Sequence, residues 1–181
     1  MSEADDVELV RRIQRGDGTA AEQFVRRHEL RLRRLALLWS DSPEDARDAV
    51  QEALTRGLAG FAAFRFRSRP LTWIVGTLRN VCAEQRRSNR RGSPRLDPDT
   101  AAETAAEQPL DDVRSRRVRR WLAHLPPRQR DAVVLRVLEE WSVRDAATIM
   151  GCREGTVKAL VHQGMQRLRV IAAEEESCPI D

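Results

Sequence analysis

The stretch that most restricts the fold runs from Ser142 to Arg169 and reads as two helices joined by a tight turn. Ser142, with Asp145 three residues later, has the pattern of a helix N-cap. Gly151 stands where a helix commonly ends in the left-handed conformation. The second helix has an apolar face at helical spacing, formed by Val157, Val161, Gly164 and Leu168. The pattern predicts a helix-turn-helix.

The opposite face of the second helix is polar, and its residue types suit the major groove of DNA. It carries Thr156, Lys158, Ala159, His162, Gln163 and Arg167. Such side chains supply donors and acceptors that can read base edges. The alternative is an ordinary helical hairpin with a solvated polar face, because short motifs also occur without the function.

The composition favours an all-α protein with one large or two small domains. Of the 181 residues only 4% are aromatic and none is Tyr, so the core is built mainly from Leu, Val and Ala. Neither a signal-peptide pattern nor a run of ~18 apolar residues is present, which predicts a cytoplasmic protein without membrane insertion. Cys82, Cys152 and Cys178 lack metal-ligand spacing, and we expect no disulfide framework, metal or cofactor.

Helical periodicity predicts a series of amphipathic helices along the chain, beginning near residues 6, 19, 43, 71, 113 and 127. Their expected core faces include Phe24, Leu30, Leu32, Leu35, Ala49, Val50, Ile74, Leu78, Leu135 and Leu138. The third helix starts with Ser42 as N-cap and Pro43 at its first position. The pattern therefore predicts helices packed on helices.

The third helix has an acidic outer face, formed by Glu44, Asp45, Asp48 and Glu52. Together with Asp41, these carboxylates could be metal ligands of a nucleic-acid enzyme. However, five carboxylates on consecutive turns of one exposed helix rarely converge on one ion, and no His lies among them. A solvated or protein-binding face is the favoured interpretation.

A strongly basic segment follows, with nine Arg and the single acid Glu84 between Arg65 and Arg95. Phe64, Phe66 and Trp73 lie within or beside it. Cations that hold phosphates next to aromatics that stack on bases are typical of single-stranded nucleic-acid binding. Trp73 is either a base-stacking residue or a core residue of its helix.

The pattern divides the chain into a first domain (1–92), a linker (93–112), a second domain (113–173) and an acidic tail (174–181). The linker holds six acids and no base after Arg95, which predicts an extended, flexible tether. Two nucleic-acid surfaces joined by a tether predict two contacts along one duplex.

Three segments, which form two separate motif sets, resemble the extracytoplasmic-function sigma factors, the bacterial promoter-specificity subunits of RNA polymerase. LPPRQRDAVVLRVLEEWSVRDAATIMGCREGTVKALVHQGMQRLR is similar to the C-terminal region of that family. DARDAVQEAL resembles its clamp-binding helix, and FRFRSRPLTWIVGTLRN resembles its −10 recognition loop and following helix. A stand-alone helix-turn-helix regulator would have the second half without the first.

The resemblance implies a non-catalytic subunit that binds core RNA polymerase through its clamp helices and flap. It also implies −35 recognition in duplex DNA, −10 recognition and melting in single-stranded DNA, and an anti-sigma factor as a further candidate partner. The implied polymerase-binding residues are Asp45, Asp48, Gln51 and Glu52. The implied −10 residues are Phe64, Arg65, Phe66, Arg67, Ser68, Arg69, Thr72, Trp73 and Asn80. The implied −35 residues are Arg153, Thr156, Lys158, Ala159, His162, Gln163 and Arg167.

The chain departs from the family pattern within both DNA-reading segments. Many members have Gly where this chain has Phe66, and Ser-Phe where it has Pro70 and Leu71. The usual Arg two residues after Lys158 is Leu160 here. These departures bear on which bases are preferred rather than on the implied role.

Overall fold

A computed structural model describes residues 3–92 and 113–177, with side chains described for 4–89 and 116–175. The chain divides into two compact units, residues 1–91 and 92–181. Within the described ranges the secondary structure is helical and contains no strand, which confirms the all-α prediction. The predicted linker, 93–112, and the end of the predicted tail, 178–181, lie outside the described residues.

The first unit is a helical bundle closed over an aliphatic and aromatic core. It consists of α1 (Glu3–Gln14), α2 (Gly18–Trp39), α3 (Pro43–Gly60), a 3₁₀ turn (Phe61–Ala63) and α4 (Pro70–Gly92). Asp17 caps α2, and Ser42 caps α3 by accepting a hydrogen bond from the backbone N–H of Asp45 at 3.0 Å. The helices bury Val10, Phe24, Leu32, Leu35, Trp39, Phe61, Ile74 and Leu78.

The described part of the second unit begins with α5 (Val113–Ala123) and α6 (Pro127–Val133), followed by a π-helical turn (Val134–Leu138). It ends with α7 (Val143–Met150) and α8 (Glu154–Ser177). The buried Arg130 donates to the carbonyl oxygens of Leu122 (2.9 Å) and Ala123 (3.2 Å). Because helix ends leave carbonyls without intrahelical donors, Arg130 joins the end of α5 to α6. Residues 174–177 of the predicted tail belong to α8.

Two predicted core residues are exposed. Leu30 is 58% exposed. The buried residues His28 and Leu32 lie two positions before and after it in α2, and residues two positions apart point to nearly opposite sides of a helix. Leu138 is 41% exposed, because the π turn ends there, and Trp141 lies buried in the core instead. Both predictions were wrong.

Candidate nucleic-acid and polymerase interface

The acidic residues of α3 lie on its outer side, but they differ in their exposure and in the contacts that they make within the first unit. Asp48 and Gln51 are exposed, whereas Asp45 and Glu52 are half-buried. The Asp45 carboxylate accepts from the Ser42 hydroxyl at 2.8 Å and from Asn89 Nδ2 at 3.4 Å. Asp48 and Gln51 are therefore the most accessible of the four predicted polymerase-binding residues.

Arg56, which the sequence did not single out, bridges α3 and α4. Its guanidinium donates to Glu84 on α4 at 2.8 Å and to Glu52 at 2.5 Å. The hydrogen bonds that Arg56 donates, first to Glu84 and then to Glu52, raise the pKa of its guanidinium. Glu52 consequently offers less free negative charge than its place on the acidic face suggests. Within the described side chains, no group of three or more His, Cys, Asp or Glu could hold a metal ion.

The predicted −10 loop runs from Phe64 to Thr72, and its middle, residues 65–69, presents a basic and aromatic surface. Phe66 is 36% exposed. Arg65, Arg67 and Arg69 are also exposed, and Ser68 is half-buried. By contrast, Phe64 is only 8% exposed and Thr72 is buried, so both lie beneath the loop rather than on its surface. The structure thus divides the predicted −10 residues into an exposed set and a supporting pair.

Aromatic rings support the loop from the core outward. Phe24 packs against Phe61 with ring centroids 5.3 Å apart, and Phe61 against Phe64 at 5.6 Å. Phe64 then contacts Phe66 at 5.1 Å and Trp73 at 5.8 Å. Edge-to-face and tilted pairs at these separations add to the stability that burial supplies. The exposed rings therefore rest on a packed aromatic base.

Trp73 was predicted to be either a base-stacking residue or a core residue of its helix. It is 41% exposed and is therefore not a core residue. Its indole Nε1 donates to the carbonyl oxygen of Gly57 at 3.3 Å. A Cβ on Gly60 would lie 2.9 Å from the Trp73 ring, so only glycine leaves room for the indole there. Gly57 and Gly60 of α3 therefore orient Trp73. Helical periodicity could not predict this role.

Asn80 is exposed on α4, seven residues after Trp73. Seven residues are nearly two helical turns, so the two side chains share one face about 10 Å apart along the axis. Arg79 donates to Asn80 Oδ1 at 3.3 Å. The exposed surface therefore extends from the loop along α4.

Gln14 contacts the start of the loop and was missed in the sequence. Its Nε2 donates to the carbonyl oxygens of Phe61 and Phe64, both at 2.9 Å. These partners are 47 and 50 residues away in the chain. No local pattern could have identified Gln14, because the contact exists only once α1 packs beside the 3₁₀ turn.

In the second unit, α7 and α8 form the predicted pair of helices joined by a tight turn. Ser142 Oγ accepts from the backbone N–H of Asp145 at 3.0 Å, and Gly151 adopts φ 59°, which confirms both the N-cap and the left-handed helix end. Val157 and Gly164 are buried, while Val161 and Leu168 are half-buried. A Cβ on Gly164 would lie 2.7 Å from Val133 Cγ2, so this glycine lets α8 approach α6 closely.

Every residue predicted to face the −35 element is exposed: Arg153, Thr156, Lys158, Ala159, His162, Gln163 and Arg167. Gln129 on α6 donates to Gln163 Oε1 at 3.2 Å, an orienting contact that the sequence did not reveal. This face combines donors, acceptors and positive charge on one rigid helix.

Cys82 and Cys152 are free thiols, and Cys178 lies outside the described residues. None of the helices in the described ranges combines the length and hydropathy needed to cross a bilayer.

Comparison with known families matches both units. The family described as Sigma-70 region 2 matches residues 24–92, and the family described as Sigma-70, region 4 matches residues 115–168. The ECF RNA polymerase sigma factor SigM of Mycobacterium tuberculosis is 33% identical over 168 residues, which cover 92% of this chain and 84% of that protein.

Solved structures are similar over most of the chain. The sigma factor RpoE from Bartonella quintana, solved in complex with the anti-sigma factor NepR, gives a TM-score of 0.68 at 25% identity, covering 84% of this chain and 96% of that one. CnrH, solved in complex with the cytosolic domain of CnrY, gives a TM-score of 0.74 at 20% identity, covering 94% of this chain and 98% of that one. The likeness to CnrH is one of fold.

Proposed function

The chain belongs to the ECF RNA polymerase sigma factors, and from this premise we propose how its residues divide the work of promoter recognition. As a sigma subunit, it recognises promoters for RNA polymerase. The proposal assigns −10 recognition and melting to residues 1–92 and −35 recognition to residues 113–173. Residues 93–112 are the tether, and the subunit carries out no catalysis of its own.

The −35 surface of the proposal is the exposed face of α8. Lys158, His162 and Gln163 are assigned to base edges in the major groove, with Ala159 in apolar contact. Arg153, Thr156 and Arg167 are assigned to phosphates. Ammonium, imidazole and amide groups can donate to or accept from base edges, and the Arg153, Thr156 and Arg167 contacts to phosphate would fix the register of the helix on the duplex.

The −10 surface of the proposal is the loop at 65–69 with Trp73 and Asn80. Phe66 and Trp73 stack on exposed bases, Arg65, Arg67 and Arg69 hold phosphates, and Asn80 contacts a base. Phe64 and Thr72 are assigned a supporting role, because both are buried. The observation that carries the proposal is that one short loop exposes three arginines and Phe66 above a buried aromatic base.

The energetics of melting favour this assignment. Opening a duplex costs about 1.4 kcal/mol per base-pair step in stacking. A stacked aromatic returns roughly 1–3 kcal/mol per base, and arginine–phosphate contacts add a salt-dependent share. Because the two sums are comparable, each exposed ring is expected to influence the balance between closed and open promoter.

The remaining partners follow from the family and the acidic helix. Asp48 and Gln51, with Asp45 and Glu52 beside them, are assigned to the clamp helices of core polymerase. The second unit is assigned to the flap, and the site of action is the cytoplasm, where polymerase acts. An anti-sigma factor is a further partner of the proposal, supported by the complex in which RpoE from Bartonella quintana was solved.

The test of the proposal is the opening of promoter DNA by holoenzyme that carries Phe66→Ala. Permanganate reactivity of −10 thymines is measured on linear DNA and on the same promoter with a pre-melted bubble. We expect reactivity on linear DNA to fall about tenfold, as loss of one stacking contact implies, with transcription restored on the bubble. Leu30→Ala, which removes an exposed apolar side chain from α2, is the matched control and should have no effect. Equal losses on both templates would contradict a role in melting.

A further inference from the structure

The end of α1 is joined to the −10 loop by hydrogen bonds to its backbone. Gln14 Nε2 donates to the carbonyl oxygens of Phe61 and Phe64, each at 2.9 Å. The Phe61 carbonyl also closes the 3₁₀ turn after α3 by accepting from the backbone N–H of Phe64 at 3.1 Å, and the Phe64 carbonyl directly precedes Arg65. A donor from another element that bonds both carbonyls restrains the point at which the chain leaves the turn.

A second contact from the same face of α1 reaches the side chain of the loop. The Arg11 guanidinium lies 5.7 Å from the centroid of the Phe66 ring, within the range of a cation–π interaction. Arg11 and Gln14 are three residues apart and therefore share a helix face. The Phe66 ring is thus in contact both with Arg11 on α1 and with Phe64, whose ring centroid lies 5.1 Å from its own.

The attachment of α1 to the rest of the unit does not depend on these two residues. Leu9 and Val10 are buried against the core. Asp6 accepts from Arg27 on α2 at 2.9 Å and lies 3.0 Å from His28 Nε2. A variant at Gln14 or Arg11 is therefore expected to leave α1 in place while releasing the loop.

We infer that α1 positions the −10 loop: Gln14 sets the path of its backbone, and Arg11 holds the ring of Phe66 in its exposed orientation. This inference rests on the proposed function of the loop. It assigns to −10 melting a helix that lies outside residues 24–92, the range that matches Sigma-70 region 2. Gln14 and Arg11 are positioning residues, and Arg11 also places positive charge beside any base stacked on Phe66.

The first experiment compares Gln14→Met and Gln14→Glu in holoenzyme on a linear promoter. Methionine keeps the length of the side chain and removes the donor, whereas glutamate faces two carbonyl oxygens with a carboxylate. We expect permanganate reactivity at −10 to fall about tenfold for methionine, as the loss of two hydrogen bonds implies, and further for glutamate. Affinity for core polymerase and activity on the pre-melted bubble should stay at the wild-type level.

Gln23→Met is the matched control, because Gln23 is an exposed glutamine of α2 that accepts from Arg12 on α1 at 3.4 Å, so this variant removes a bond to α1 but none to the loop. It should leave promoter opening unchanged. Urea unfolding of each full-length variant shows whether a loss of opening reflects a general loss of stability. A Gln14→Met protein that opens the promoter as well as Gln23→Met does would overturn the role of Gln14.

The second experiment measures the coupling between Arg11 and Phe66. Arg11→Ala should reduce opening about threefold in the wild-type background, as an exposed cation–π contact implies, and should have no further effect when combined with Phe66→Ala. Arg15→Ala is the charge-matched control, because Arg15 lies one turn away and pairs with Glu8 at 3.1 Å. Equal effects of Arg11→Ala with and without the Phe66 ring would overturn the positioning role of Arg11.

The outcomes separate this inference from the proposed function. If Phe66→Ala impairs opening but the Gln14 and Arg11 variants behave as their controls, the inference alone is wrong. If Phe66→Ala opens the promoter normally, the assignment of the loop is wrong, and the role of α1 is wrong with it.

Discussion

Phe66 combines an unusual backbone conformation with an exposed aromatic ring. Its φ is 54°, in the left-handed region that favours glycine, and within the described residues only one other non-glycine residue, Glu140, has a positive φ. This explains why glycine suits the position in many members of the family. Residues held in such conformations persist where their surroundings favour them, and the Phe66 ring is in contact with Phe64 and Arg11.

The backbone cost at position 66 predicts an order of stability among variants. Phe66→Gly should be more stable than Phe66→Ala by about 1 kcal/mol, because alanine retains the left-handed penalty and glycine does not. Both variants lose the ring and should lose promoter opening equally. Urea unfolding measures the first quantity and permanganate reactivity the second. At Arg67, whose φ is not positive, glycine should be no more stable than alanine.

Gln163 is predicted to read a base at −35. Gln163→Ala should weaken binding to the preferred promoter by roughly 1–3 kcal/mol and relax the choice of base at one position. The comparison variant is Arg153→Ala, which should weaken binding to all promoters alike and reduce its salt dependence. Binding measured over a set of −35 variants decides between the roles. A uniform loss for Gln163→Ala would make Gln163 a phosphate contact.

Among the helices, α2 begins with a cap in which charge and hydrogen bonding act together. Asp17 accepts from the backbone N–H groups of Thr19 (2.9 Å) and Ala20 (3.3 Å) and from the Thr19 hydroxyl at 2.7 Å. Arg12 on α1 donates to the same carboxylate at 2.8 Å. The Thr19 hydroxyl and then Arg12 lower the pKa of Asp17 from 3.8 to about 2. The ionised carboxylate thus joins α1 to the start of α2.

This lowered pKa predicts a loss of stability in acid. The folded state holds Asp17 ionised. Its contribution to the free energy of unfolding is therefore complete above the unfolded pKa near 3.8 and disappears as the pH falls towards about 2. Asp17→Asn keeps an N-cap but removes the charge. The difference in unfolding free energy between the wild type and Asp17→Asn should therefore shrink as the pH falls from about 5 to about 2. It is measured from the NMR signals of α2 during urea unfolding. A constant difference would contradict the ionic contribution.

Across the molecule, charge separates the surface assigned to polymerase from those assigned to DNA. The net charge is only +4, yet α3 presents acids while the loop at 65–69 and the outer face of α8 present arginine and lysine. A basic surface attracts phosphates, and an acidic one is repelled from them. The same chain can therefore approach DNA and a protein partner with different surfaces.

This separation predicts the effect of reversing one charge on α3. Asp48→Arg should weaken association with core polymerase about tenfold at low salt, and less as salt screens the interaction. Folding stability should change by no more than about half a kcal/mol, because the residue is exposed. Glu22→Arg makes the same change at an exposed position of α2 and is the control. Native affinity of Asp48→Arg would contradict the assignment.

Helix starts and ends were predictable because their hydrogen bonds are local. Ser42 and Ser142 each cap the backbone N–H three residues later, and Gly151 adopts its left-handed conformation one residue after α7. The exposed −35 face followed equally from helical spacing. In each case both partners lie within one or two helical turns, so the pattern of residues already contains the interaction.

Only tertiary packing decided which aromatic rings are exposed and what holds them. Phe64 and Phe66 lie two positions apart in the chain, yet Phe64 is buried and Phe66 is exposed. Gln14 reaches carbonyls 47 and 50 residues away. Position 164 requires glycine because a Cβ there would lie too close to Val133 on another helix. Such contacts join elements that are remote in the chain and depend on where whole helices pack, which no local spacing of residues encodes.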